Sequence, residues 1–225
     1  MPASSLLSCR PALLLAVAAV VAGGGVGAYF LLRPKAEKPE THLPGPDSPA
    51  YQEYAEAFQV GVSALDAAEY SIAGKRFNEA IDKVPEEPAA WANRGLLNLR
   101  QNRKKEAAAD LKRAHELAPD SPEVENLLGW LASKQGRYAE AADHFRKAIE
   151  HDPRDLLAQF ALAKMIEKQG GADGDAQYQR QLGVILEVQP YNLRILEELV
   201  LVAARRKDKR TLNLALDRLR KVSPA

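Results

Sequence analysis

Three histidines, His115, His144 and His151, sit late in stretches of helical periodicity. Imidazole holds zinc or moves protons near neutral pH, so these are the first residues to weigh for chemistry. His144 and His151 are seven apart and share one helix face, but no cysteine and no closely spaced carboxylate pair completes a metal site around them. Glu150 and Asp152 flank His151, yet adjacent residues on a helix point to different sides. The three histidines are therefore read as solvated. Other possible sites end the same way. The turn Gly170–Asp175 lacks the lysine of a phosphate-binding loop, and its Asp173 and Asp175 hint at calcium without the bidentate acid that an EF-hand loop needs. The densest basic run, Arg205-Arg206-Lys207-Asp208-Lys209-Arg210, reads as a solubilising turn, with phospholipid or nucleic-acid contact as the alternative. No catalysis, cofactor or metal is expected.

Composition points to an all-helical protein. Ala, Leu, Glu, Lys and Arg dominate the 225 residues, and 46% are hydrophobic, enough for a packed core. The formal net charge of +1 provides no global field to gather nucleic acid, so no nucleic-acid partner is expected. The single cysteine, Cys9, rules out an internal disulfide framework.

After a short tail at 1–10, residues 11–32 (PALLLAVAAVVAGGGVGAYFLL) carry no charge and are long enough to span a bilayer. They are expected to form an uncleaved transmembrane or signal-anchor helix; the small residues Val26-Gly27-Ala28 leave a cleaved signal peptide as the alternative. Arg10 precedes the run, while Arg33, Lys35 and Lys38 follow it, and counted alone these favour a cytoplasmic C-terminal domain. A short N-terminus before a long domain, however, resembles bacterial signal-anchor proteins whose bulk is exported. A single-pass protein with its domain on the extracytoplasmic side is the expectation. Residues 33–49 hold five prolines and almost nothing apolar, so they read as an extended Pro-rich linker.

The rest of the chain repeats. Pro122–Asp155 reads as two short helices joined by a turn, with small Gly129, Ala141 and Ala148 at close crossings, large Tyr138 and Phe145 between them, Gly136 at the turn and Asp152-Pro153 as the stop. The same frame places Gly61, Tyr70, Ala73, Phe77 and Ala80 in 54–87, and Trp91, Gly95, Ala107, Leu111 and Ala114 in 88–121. Units at 156–192, with a turn longer by three residues, and at 193–225 follow the frame more loosely. This spacing and pattern resemble the tetratricopeptide repeat. The resemblance implies an all-α, right-handed α-solenoid of about five helix-turn-helix units spanning 54–225.

Members of this family use first-helix residues to line a concave peptide-binding groove. Carried onto this chain, the resemblance implies a groove of Phe58, Val62, Leu65, Ala92, Leu96, Leu99, Asn126, Trp130 and Lys134, continued by Phe160, Lys164, Lys168, Arg194 and Arg205. The expected ligand is a peptide or protein with an apolar segment followed by an acidic one, with Trp130 as anchor. Some of the apolar residues are equally open to packing between helices. The set that clamps a terminal carboxylate in chaperone-binding members falls here on Phe58, Val62, Asn93, Glu123 and Leu127, of which only Asn93 matches. At the C-terminal end, Leu212, Leu214, Leu216, Leu219 and Val222 leave little room for a polar outer face. The alternative reading is thus a self-assembling module, a homo-oligomer through that face, or the front of a larger bacterial envelope protein.

Overall fold

The computed structural model describes residues 43–45, 47–171 and 173–222. The tail at 1–10, the apolar run at 11–32 and residues 33–42 of the linker lie outside the described residues. Among the described residues no helix is long and apolar enough to cross a membrane.

The described residues form ten helices and no strand: α1 Pro49–Asp66, α2 Tyr70–Lys83, α3 Pro88–Arg100, α4 Lys104–Leu117, α5 Pro122–Lys134, α6 Tyr138–His151, α7 Leu156–Gln169, α8 Gly174–Val188, α9 Leu193–Arg205 and α10 Lys209–Val222. Each packs on its neighbours in the chain, giving five successive helical hairpins. The odd-numbered helices start on local signals. Ser48, Ser121, Asp155 and Asn192 accept hydrogen bonds from the exposed first-turn amides of α1, α5, α7 and α9. Pro49, Pro88 and Pro122 occupy first helical positions, where the missing donor costs nothing. α1 therefore begins at Pro49, ahead of the Tyr54 at which the repeat frame starts.

Four of the five hairpin turns share one backbone solution. Ala68, Asn102, Gly136 and Lys207 all have positive φ (59°, 59°, 78° and 54°). The amide after each returns to a carbonyl of the preceding helix: Glu69 to Ala64, Arg103 to Asn98, Arg137 to Ala132 and Asp208 to Ala203, at 2.8–3.0 Å. Only one of the four is glycine, so the sequence advertises the turn at Gly136 alone. The longer turn after α7 breaks the pattern, with both Gly170 and Gly171 at positive φ.

Packing within the hairpins is a matter of size matching. A Cβ on Gly61, Gly95 or Gly129 would fall 2.7, 2.6 and 2.7 Å from the side chains of Phe77, Leu111 and Phe145 respectively, so the even helix presses directly on the backbone of the odd one. In the fourth hairpin Ala163 takes the glycine place, and the large Tyr178 and Leu182 are fully buried in the cluster beside it. Fully burying a side chain such as Phe77 or Phe145 contributes roughly 1.5–3 kcal/mol.

One position changes its hydrogen bonding from repeat to repeat. Trp91 Nε1 donates to the Pro85 carbonyl at 2.9 Å, and at the corresponding place Gln159 Nε2 donates to the Pro153 carbonyl at 2.7 Å. The intervening equivalent is Glu125, whose carboxylate has no donor. It is 1% exposed and instead accepts from His144 Nδ1 at 2.7 Å, with His115 Nδ1 3.5 Å from its other oxygen. This corrects the expectation that the histidines are solvated: His151 is exposed, but His115 and His144 reach from α4 and α6 to a buried acid on α5. A further buried polar cluster joins α3 and α4. Arg94 binds both carboxylate oxygens of Asp110 at 3.1 and 2.6 Å, and Asn98 adds a donor at 2.8 Å.

Candidate partner-binding groove

The odd-numbered helices share a surface. Asn126 of α5 donates to Asp155 at the start of α7 (2.6 Å), and Lys164 of α7 meets Glu198 of α9 (2.8 Å). On this surface α5, α7 and α9 enclose a cavity of about 290 Å³, lined by Trp130, Ser133, Leu157, Phe160, Ala161, Lys164, Met165 and Arg194, with Phe145 of α6 at its floor. Trp130 and Leu157 are 53% and 80% exposed, large apolar groups left in water beside a concavity. Helix register explains this. Leu156, the first residue of α7, packs against the core cluster of the fourth and fifth hairpins, and Leu157 is turned about 100° away from it.

Charge on the same surface is distributed unevenly. Lys164 Nζ contacts Glu198 at 2.8 Å and Glu167 at 3.1 Å; Arg205 contacts Glu167 at 3.0 Å and Asp175 at 2.9 Å. Tyr178 donates to the second oxygen of Glu198 at 2.8 Å. Burial works against the Lys164 ammonium, but hydrogen bonds with Glu198, Tyr178 and Glu167 outweigh it and hold its pKa above the usual lysine range. Burial likewise opposes ionisation of Glu167, yet hydrogen bonds from Arg205 and Lys164 leave its carboxyl below the ordinary value. Burial raises the Tyr178 phenol. Arg194 differs: its guanidinium lies 4.8 Å from the centre of the Phe160 ring, and among the described residues no acceptor or carboxylate engages it.

A tetratricopeptide repeat profile matches residues 58–122, and a second matches 122–155. The chain carries tetratricopeptide repeats. The solved structures similar to it share that fold. PilF of Pseudomonas aeruginosa is 15% identical, with 79% of this chain and 80% of that one covered and a TM-score of 0.67. PilW, described as a type IV pilus biogenesis factor, is 21% identical over 76% of this chain and 78% of that one, with a TM-score of 0.65. YrrB, described as a tetratricopeptide protein with an unusual peptide-binding site, is 15% identical over 79% and 93%, with a TM-score of 0.60. No curated protein matches the chain.

In the tetratricopeptide array, the residues expected in the groove separate into three groups. Leu65, Ala92 and Leu99 are 2%, 7% and 2% exposed and belong to the core, the packing between helices that was open to them as an alternative to the groove. Phe58, Val62 and Leu96 are half-buried and pack on the core of the first two hairpins; the Phe58 ring lies 5.7 Å from Tyr54 and 6.2 Å from Phe77. Trp130, Phe160, Lys164 and Arg194 come together around one cavity. Asn126 is occupied by Asp155, Lys134 and Lys168 are exposed, and Arg205 is held by Glu167 and Asp175. Lys164 and Arg205, expected to meet an acidic ligand, are thus paired within the protein. Sequence reading missed Leu157 and Met165 as cavity walls. Neither carried a signal in the sequence that separated it from its core neighbours.

The basic run starts at the end of α9 and enters α10, so Arg206, Lys207 and Asp208 form the turn between them. Arg206 donates to Gln179 at 2.7 Å. Asp208 accepts from Gln179 and Thr211, which hold its pKa down at about 2. Asp175, weighed above for calcium, lies in the first turn of α8 and accepts from Arg205.

Proposed function

We propose that this protein is a membrane-tethered, non-enzymatic scaffold that binds a protein or peptide partner on the surface of its odd-numbered helices. The observation that carries the reading is the cavity between α5, α7 and α9, where Trp130 and Leu157 stand exposed beside the apolar walls of Phe160 and Met165. Large aromatic groups set in a recess are the usual anchors of protein recognition. The tetratricopeptide fold and the peptide-binding site described for YrrB support a peptide as the occupant. The tether rests on the sequence of residues 11–32, and the extracytoplasmic placement of the array on its likeness to signal-anchor proteins. Crosslinking pulldown with the intact, membrane-embedded chain tests it. Trp130→Ala is expected to remove the principal crosslinked partner without changing the helical circular dichroism; retention of that partner would sink the reading.

A second reading, self-association, draws on Val184, Val188, Leu214 and Val222, all exposed on α8 and α10. Light scattering of the chain with Leu214→Glu separates the two, since only a self-assembling protein loses mass.

A further inference from the structure

We infer that the α5–α7–α9 cavity selects a partner segment in which a large apolar side chain lies close to a carboxylate, and that Arg194 is the residue that reads the carboxylate. This deepens the groove reading above and rests on it. The cavity is walled by Trp130, Leu157, Phe160 and Met165, and at about 290 Å³ it holds one aromatic or long aliphatic side chain. Two cations, Lys164 and Arg194, line it, a third, Arg205, shares Glu167 with Lys164, and the three are not equivalent. Lys164 is surrounded by Glu167 and Glu198, and Arg205 by Glu167 and Asp175. An incoming carboxylate at either would have to displace an acid already in place. Arg194 has no such partner among the described residues. It lies over the face of Phe160, a cavity wall, so its position is supported by the apolar lining that the ligand would cover.

The two halves of the recognition element reinforce each other. Seating an apolar group against Trp130 and Leu157 removes water from beside Arg194, and an ion pair strengthens as the local dielectric falls. A guanidinium presents planar pairs of donors that match a carboxylate, which an ammonium does not. A glutamate or aspartate side chain of the segment supplies that group, in keeping with the poor match of Phe58, Val62, Glu123 and Leu127 to a terminal-carboxylate clamp.

A random 12-residue peptide library, displayed once with free and once with amidated C-termini, would be selected on the full-length chain in detergent. The expected winners carry a large apolar residue within a few positions of an aspartate or glutamate and emerge from both libraries; winners from the free-terminus library alone would overturn the inference. Arg194→Gln is expected to weaken a winning peptide by about tenfold, as loss of one charge-assisted contact would. Arg180→Gln, on α8, should leave it unchanged. Winners with apolar residues alone, lost with Trp130→Ala but indifferent to Arg194→Gln, would overturn the inference and leave the groove reading standing. Winners indifferent to Trp130→Ala, or no shared sequence among them, would overturn both.

Discussion

At the scale of single residues, Glu125 shows how one substitution within a repeat reorganises its surroundings. Trp91 and Gln159 each donate to a proline carbonyl six residues earlier, and a glutamate in that place cannot. A carboxylate 1% exposed must be paired, and His144 supplies the donor. Removing the imidazole leaves a buried acceptor unsatisfied, so His144→Ala is expected to lower stability by about 1–3 kcal/mol in urea unfolding. His151→Ala, at an exposed site, should fall within about 0.5 kcal/mol of the parent. Glu125→Gln introduced into the His144→Ala variant should restore much of the loss, because glutamine can donate to the Pro119 carbonyl as Gln159 does to Pro153. Equal losses for His144→Ala and His151→Ala would show that the contact carries no stability. None of this was legible in the sequence, where His115, His144 and Glu125 lie on three different helices and only folding brings them together.

At the scale of elements, the turn between α9 and α10 is held by Asp208, which accepts from the Thr211 amide and hydroxyl and from Gln179 of α8. Its pKa is depressed from 3.8 to about 2 by those hydrogen bonds. A depressed folded-state value means that the unfolded chain takes up the proton first as pH falls. The stabilisation is therefore complete above pH ~4 and disappears between about 4 and 2. Glu167, also lowered, acts in the same direction on the junction of α7 and α9. Wild type should exceed Asp208→Asn in thermal stability at pH 6, with the gap closing by pH 2; a gap independent of pH would show that ionisation plays no part. The turn itself illustrates what sequence hides. Gly136 advertises a left-handed residue, whereas Ala68, Asn102 and Lys207 adopt the same conformation because the flanking helices require it.

At the scale of the whole array, stability comes from stacking, since one hairpin cannot bury its own apolar faces. The largest core cluster runs from Ala163 and Tyr178 through Leu182, Ile185 and Leu186 to Leu196, Leu199 and Ala215, joining the fourth hairpin to the fifth. Deleting residues 193–225 strips the cover from Leu182 and Leu186. Hydrogen exchange should then show α7 and α8 losing protection while α1 to α4 keep theirs. Uniform loss across all hairpins would argue for one cooperative unit instead.

Sequence alone determined the class of this protein. Small and large residues recurring every 34 positions can satisfy their crossings only as stacked helical hairpins, and Gly61, Gly95 and Gly129 do meet Phe77, Leu111 and Phe145 in that way. The long apolar run at 11–32 is also a property that composition expresses by itself. Tertiary structure decided which members of an apolar stripe are core and which are surface. Leu65, Ala92 and Leu99 share a helical face with groove residues yet are sealed by neighbouring helices, while Leu157 beside Leu156 is left in water. It also decided which cations are free. Lys164, Arg194 and Arg205 look alike in a sequence, and only the arrival of Glu167, Glu198 and Asp175 from other turns and helices neutralises two of them and leaves Arg194 over Phe160. Periodicity is local and survives in a linear string, whereas burial and charge pairing are relations between distant residues and exist only once the helices are stacked.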